Sequence, residues 1–266
     1  MAAPCPGNPN ALGTSRAVEI DTTDGPGFGL EQYKSHDFLQ PKEVVLTFDD
    51  GPWQTSTRAV LEALAAHCVK ATFFAIGKHA LYDPEILKEV LAKGHTIGTH
   101  TFSHIPMKKL GPDQGREEIE KGFSAVKMAL GGVAPSAFFR FPALQDPPEQ
   151  LAYLGTRNIA IFSQDVDSFD FKMHQPDAVV KSVITKLEKK GKGIILLHDF
   201  HNNTAKALPM LLNELKARGY QIVHLKSKQP VATLPEYDAA ILKDLKNPSM
   251  ADQRPTSTIM KSVPVE

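Results

Sequence analysis

Two aspartates stand side by side at the end of an apolar run, in Thr47-Phe48-Asp49-Asp50-Gly51-Pro52. Adjacent carboxylates leaving a strand project in different directions, so one can act as a hard ligand for a cation and the other as a base. Asp-Gly-Pro is equally good turn chemistry, and on this segment alone the two readings stand level. A second run leads into His100-Thr101-Phe102-Ser103-His104. Histidines at i and i+4 fall on one face of a helical turn, close enough to share a cation; an isolated pair with this spacing is a weak signal. Two imidazoles and one carboxylate leave coordination positions open, the arrangement of a catalytic rather than a closed structural site.

Three more runs end in groups able to react. Arg140 closes one in Arg140-Phe141-Pro142; Asp165, Asp167 and Asp170 follow another; His198-Asp199 follows the most apolar of all. Structural ion pairs are the plain alternative for Arg140 and for the aspartates. Five of seven such runs nevertheless point polar groups the same way, and strand C-termini are where α/β barrels carry their chemistry. The convergence is that of an enzyme.

The elements that must position these groups follow from periodicity. Short β-branched and aromatic runs at 44–48, 71–76, 95–99, 137–141, 159–162, 193–197 and 220–223 read as strands, several of them apolar without alternation, as in strands buried on both faces. Between them Val60 and Leu64, then Ile119, Phe123, Val126 and Leu130, make helical stripes. Val179, Val180, Val183, Ile184 and Leu187 make another, and Leu208, Leu211, Leu212 and Leu215 the last. Gly94, Gly191 and Gly219 stop helices just before strands. Alternating units without a phosphate-binding glycine loop predict a parallel α/β barrel rather than an open doubly wound sheet. The barrel spans 42–226, with a Pro- and turn-rich N-terminal arm at 1–41 and a C-terminal extension at 227–266.

The quoted segments, with Asp167-Ser168-Phe169-Asp170-Phe171 and Leu196-Leu197-His198, resemble the five ordered motifs of the NodB-homology polysaccharide deacetylases, carbohydrate esterase family 4. The resemblance implies a distorted (β/α)7 barrel and metal-assisted hydrolysis of N-acetyl groups on a glycan such as chitin, chitooligosaccharide or peptidoglycan. By the same resemblance Asp50, His100 and His104 hold a divalent ion, most often Zn2+, with Co2+, Ni2+ or Mn2+ as alternatives. Asp49 is then the general base for the attacking water, oriented by Arg140. His198 is the general acid, tuned by Asp170, and the Ala143 backbone N–H serves the oxyanion. Two positions depart from the motifs. Ala143 stands where the family has Tyr, and Phe171 where it has Trp, which alters the pocket for the acetyl methyl; Phe171 and Leu196 still supply an apolar wall. Trp53, the only tryptophan, either stacks on a sugar ring or packs. His201 borders the cleft or does not; His36, His67, His79, His95, His174 and His224 lack partners at informative spacing and read as surface or core residues.

Composition sets outer bounds. With Lys+Arg 30 against Asp+Glu 30 and 42% hydrophobic residues, the chain lacks the cationic surplus for nucleic acid and the charge excess of disorder. No apolar run approaches the ~20 residues of a membrane span. A largely neutral glycan would need no electrostatic steering. Cys5 and Cys68 are either two thiols or a bridge, and a bridge implies an oxidising compartment. The first residues show neither the basic nor the apolar region of a signal peptide, which suits a cytoplasmic protein or a mature exported chain. Action on exported polymers favours the bridge and a periplasmic or extracellular location. Two competing functions keep the same motifs: an O-acetyl (acetylxylan-type) esterase, and a carbohydrate-binding protein without activity. Oligomeric state is not encoded in these features.

Overall fold

Every residue of the strand Glu43–Asp49 (β3) is buried, as a strand covered on both faces requires. The computed structural model describes residues 5–246. On one side β3 pairs with Gly193–His198 (β9), Val44 beside Gly193 through to Asp49 beside His198. On the other it pairs with Thr72–Ala75 (β4), followed by Thr96–Thr99 (β5), Phe138–Phe139 (β6) and Ala160–Phe162 (β7). Val166–Asp167 (β8) joins the far side of β9. All these ladders are parallel, so each strand ends at the same mouth.

Parallel pairing demands crossovers, and helices supply them. They are Ser56–Ala66 (α1), Gly77–Tyr82 (α2), Pro84–Ala92 (α3), Pro112–Ala129 (α4), Pro148–Thr156 (α5), Pro176–Lys190 (α6) and Asn202–Ala217 (α7). Alternation along β3 separates two apolar layers. Val44, Leu46 and Phe48 pack outward on Val60, Leu61, Leu64, Leu208 and Leu211 of the helices. Val45 joins Phe74, Phe138, Phe162 and Ile194 in an inner cluster that fills the space between strands. Thr47 and Asp49 share the phase of Val45, so the strand that buries Val45 also delivers Asp49 to the top of the interior. Gly191 ends α6 with φ 80°, the left-handed stop expected of it.

All seven expected strands are present, though the fourth shrinks to Phe138–Phe139. Three more were not anticipated. Thr14–Ile20 (β1) lies in the segment read as an arm, yet runs parallel along Gln221–Ser227 (β10), which touches β3 through Gln221 and Ile222. Gly27–Phe28 (β2) extends the sheet beside β7. As an edge strand β1 buries only Ile20 and shows no apolar run, and β2 and β8 are only two residues long. The ladders therefore run from β8 to β2 without a rung joining those two ends among the described residues. Asp165 spans the gap: its carboxylate accepts the N–H of Leu30, just past β2, and that of Ile194 in β9, both at 2.6 Å. This aspartate, grouped with reactive ones by sequence, stitches the seam.

Cys5 and Cys68 form a disulfide with Cα atoms 5.6 Å apart. Asn8 Nδ2 donates to Ala66 O and Gly13 N–H to His67 O, so the same stretch is pinned along its length. In the chain-entropy account such a closure contributes about 4 kcal/mol. On the C-terminal side, Pro235–Leu245 (α8) packs on α4, with Lys127 bonded to Thr233 and Asp238. The rest of the expected extension, 247–266, lies outside the described residues. No helix among the described residues is long and apolar enough to cross a membrane.

Candidate active site

Arg140 leaves β6 completely buried, and its guanidinium is spent in place. Nη1 donates to Asp49 Oδ1 at 2.7 Å and Thr47 Oγ1 at 2.8 Å, while Nε and Nη2 donate to the carbonyls of Phe162 and Ser163. Its face rests 4.4 Å above the Phe74 ring. A buried cation so fully engaged cannot swing, and it fixes one oxygen of Asp49 while Oδ2 faces His100 Nε2 at 3.9 Å.

Asp50 turns the chain with φ 74°, a conformation costing a non-glycine residue about 1–3 kcal/mol. That turn sends its carboxylate away from Asp49 and between two imidazoles. Asp50 Oδ1 lies 3.6 Å from His100 Nε2 and 3.3 Å from His104 Nε2. The three ligating atoms fall within 4.8 Å of one another. His100 Nδ1 sits 2.7 Å from the Arg140 carbonyl, which can only accept, so Nδ1 carries the hydrogen and Nε2 keeps its lone pair. Burial also holds His100 below the ordinary histidine range, in the neutral form a cation needs. Asp50 Oδ1 is buried without a hydrogen bond. A buried carboxylate oxygen without a hydrogen bond, facing the Nε2 atoms of two imidazoles, fits a divalent cation.

The histidine pair differs from expectation in one respect. No helical turn carries it; residues 100–106 form a loop after β5, with positive φ at Thr101 and His104. Thr101 Oγ1 accepts the His104 N–H, and the Glu118 carboxylate on α4 accepts both the N–H and the hydroxyl of Ser103. Buried backbone that is not helical must find such partners, and these bring the two rings to 4.9 Å.

His198 ends β9 beside Asp49 in register. Its Nδ1 lies 2.7 Å from Asp170 Oδ1; Asp170 Oδ2 accepts the His198 N–H and the Thr204 hydroxyl. Burial alone would lower the His198 pKa, but the hydrogen bond and charge of Asp170, with Asp50 and Asp49 beyond, push it up to about 9. Asp170 is correspondingly held below the usual carboxylate range despite its burial. Asp167 plays no such part: its carboxylate accepts the Phe169 N–H and shapes the turn.

The remaining predicted residues surround these two clusters. Phe171, 46% exposed, sets its ring 5.5 Å from His198, edge to face. Leu196, two residues before His198, is nearly buried and pairs with Thr47 and Asp167. Ala143 sits exposed in a short turn with φ 53°. The N–H groups of Leu144 and Gln145 are used within that turn. Trp53, half-buried, packs edge-on to His79 at 5.3 Å and Phe200 at 6.4 Å. His201 stacks under Phe200, its ring 6.0 Å from His198, and so borders the site. Two neighbours of the site have contacts that the sequence did not reveal: His79, read as a surface or core residue, and Asp199, noted only as a strand-end group beside His198. His79 directs Nδ1 at the Asp50 carbonyl from 2.6 Å, and Asp199, next to His198, is buried beneath Gly51. Both are distant in sequence from the turn they touch, so spacing could not reveal them.

With this geometry in hand, comparison with known proteins is informative. The polysaccharide deacetylase family model matches residues 38–155. The peptidoglycan N-acetylglucosamine deacetylase PgdA of Listeria monocytogenes is 33% identical over 187 residues, which are 68% of this chain and 38% of that protein. The chain thus matches well under half the length of that relative. A chitooligosaccharide deacetylase of Bradyrhizobium is 30% identical over 195 residues, 68% of this chain and 88% of that one. Among solved structures, a Bdellovibrio bacteriovorus peptidoglycan deacetylase superposes with a TM-score of 0.74 at 33% identity, covering 83% of this chain and 60% of that one. Its neighbours include a family 4 carbohydrate esterase from Streptomyces lividans, with a TM-score of 0.59 at 31% identity, covering 70% and 92%.

Proposed function

The chain belongs to the polysaccharide deacetylase family, and from that premise we propose that it hydrolyses the N-acetyl groups of N-acetylglucosamine-containing glycans to acetate and free amine. The observation that carries the reading is the bare, buried Asp50 Oδ1 between His100 and His104. These three residues would hold a divalent cation, Zn2+ in the first instance, since two imidazoles and a carboxylate are the donor set of open zinc sites. Such a cation supplies Lewis acidity, polarising the amide carbonyl and acidifying water.

The protein's own groups do the rest. Asp49, held by Arg140, takes the proton of the water whose oxygen attacks the acetyl carbon, through the carboxylate oxygen that Arg140 leaves free. The Ala143 N–H donates to the developing oxyanion. When the carbon–nitrogen bond breaks, His198 gives its proton to the nitrogen, because an amide nitrogen leaves only as the amine. A pKa of about 9 keeps His198 protonated at neutral pH. Phe171 and Leu196 wall the acetyl methyl, and Trp53 offers a face or edge to a sugar. The substrate is a chitooligosaccharide or the glycan of peptidoglycan, and the Cys5–Cys68 bridge supports work outside the cytoplasm.

A screen of zinc-loaded protein for acetate release from chitooligosaccharides of increasing length, peptidoglycan fragments and acetylxylan tests this. Acetate matched by new amines on the first two is expected. Release from acetylxylan alone would make the protein an ester hydrolase, and release from none would leave a binding protein.

A further inference from the structure

The peptide unit joining Asp50 to Gly51 is gripped at both ends by ionisable side chains that the hydrolysis above does not use. At the carbonyl end, His79 on α2 places Nδ1 2.6 Å from Asp50 O; the carbonyl accepts, so the ring donates. At the amide end, Gly51 lies directly against the buried Asp199 carboxylate; burial pushes that carboxyl up to about 7, while the Thr57 hydroxyl and the Gly51 N–H pull the other way. The approach is so close that a Cβ on Gly51 would lie 2.1 Å from Asp199 Oδ2, which leaves glycine as the only residue that fits.

Each grip is itself braced. Asp199, 1% exposed, accepts the Thr57 hydroxyl at 2.5 Å, and Thr57 Oγ1 accepts the Trp53 N–H. The Asp199 N–H reaches Asp49 O at 3.3 Å, tying the ends of β9 and β3 together. Trp53 packs edge-on against the His79 ring. Meanwhile Asp50 holds a left-handed backbone, which persists only where its surroundings over-determine it.

We propose that His79 and Asp199 are positioning residues: together they fix the plane of the Asp50–Gly51 peptide and thereby aim the Asp50 carboxylate at His100 and His104. The proposal rests on the metal reading above and extends it to two residues with no contact to the cation. Rotating this peptide plane would swing the carboxylate out of the gap between the imidazoles, so loss of either grip weakens metal binding before it touches the chemistry.

The test measures Zn2+ affinity of the full chain by competition with a chromophoric chelator, beside the melting temperature of the metal-free protein. His79→Phe keeps the ring against Trp53 but removes the donor; His79→Asn restores a donor at the Nδ1 position. Asp199→Leu removes the acceptor, and Asp199→Asn keeps an oxygen for Gly51 and Thr57 while its amide takes the place of Oδ1, which has no partner. His79→Phe and Asp199→Leu should weaken zinc binding by about 10- to 100-fold, the range for residues that orient ligands. Both amide variants should stay within about threefold of the parent. A role confined to packing would lower the melting temperature of the Phe and Leu variants and leave their zinc affinity at the parent value, and that result overturns the proposal. If Asp199→Leu fails to fold, the His79 pair decides alone. A parent protein that binds no zinc would remove the metal reading itself and this one with it; a parent that binds, with variants that bind equally, removes only the clamp.

Discussion

His100, buried, and His198, partly buried, both stand at strand ends, and each has Nδ1 2.7 Å from an oxygen. The geometry is the same and the outcome opposite. His100 Nδ1 faces a backbone carbonyl, which fixes the tautomer, and its complete burial outweighs the pull of the Asp49 and Asp50 carboxylates near Nε2, so its pKa falls. His198 faces the Asp170 carboxylate, whose hydrogen bond and charge outweigh its burial and carry the pKa to about 9. One imidazole is thereby a neutral donor of a lone pair and the other a reservoir of a proton. A carboxylate bonded directly at Nδ1, together with the shallower burial of His198, assigns the role.

The comparison breaks most sharply at His100. His100→Ala should abolish zinc binding and reduce acetate release to background, checked by metal analysis and a coupled acetate assay. His198→Ala should keep its zinc and lose about 10²- to 10⁴-fold in kcat, the usual worth of a positioned acid or base. Zinc lost in the first variant and kept in the second, with acetate release low in both, separates the two rings; loss of zinc in both would merge them. Asp170→Asn converts the His198 partner to a neutral one, making it resemble His100. With burial then unopposed, the alkaline limb of the kcat/KM profile should move from about pH 9 toward or below the ordinary histidine value, with kcat down about 10- to 100-fold at neutral pH. An alkaline limb that stays put would assign it to another group.

The same rule extends to the other end of the barrel with a smaller effect. His95 accepts the Ala71 N–H through Nδ1, and His224 Nε2 donates to Thr96 Oγ1, whose own hydrogen goes to Leu225 O. Burial, reinforced by Lys70 and Lys93 with no carboxylate to oppose them, lowers His95 to about 3; His224 falls to about 4 for like reasons, with Lys226 and Lys70 beside it. A histidine depressed in the folded state contributes stability that is complete above its unfolded pKa near 6.5 and is lost as pH falls toward the folded value. His198 has the reverse sign: its contribution is complete below about 6.5 and lost as pH rises through about 9. His95→Asn, which keeps an acceptor for Ala71, should lower the midpoint of acid unfolding by about half a pH unit. Circular dichroism against pH reads this directly, and an unchanged midpoint would exempt His95.

What the sequence displayed was the local part of this design. Asp49-Asp50 and His100 to His104 are short segments whose chemistry is visible within a few residues, and β3 and β9 are apolar runs that can only be buried strands. What it concealed depended on pairing across distance. β1 earns its place by lying along β10, some two hundred residues away, and its half-exposed residues look like any loop. The histidine pair was expected on a helix because spacing alone cannot distinguish a helical turn from a loop tied down by Glu118. His79 and Asp199 act on the Asp50–Gly51 peptide from elements far along the chain, and a lone histidine or aspartate carries no mark of that. Asp165 shows the converse: an aspartate in a promising cluster whose task is to close a seam.

The central claim is that Asp50, His100 and His104 hold the cation while Asp49 alone takes the proton of the attacking water. Asp49→Asn, loaded with zinc to the parent's stoichiometry, tests it most directly on a chitooligosaccharide or a peptidoglycan fragment. The expected result is full zinc occupancy with acetate release reduced by about 10²- to 10⁴-fold. Near-parental turnover by this variant would contradict the account.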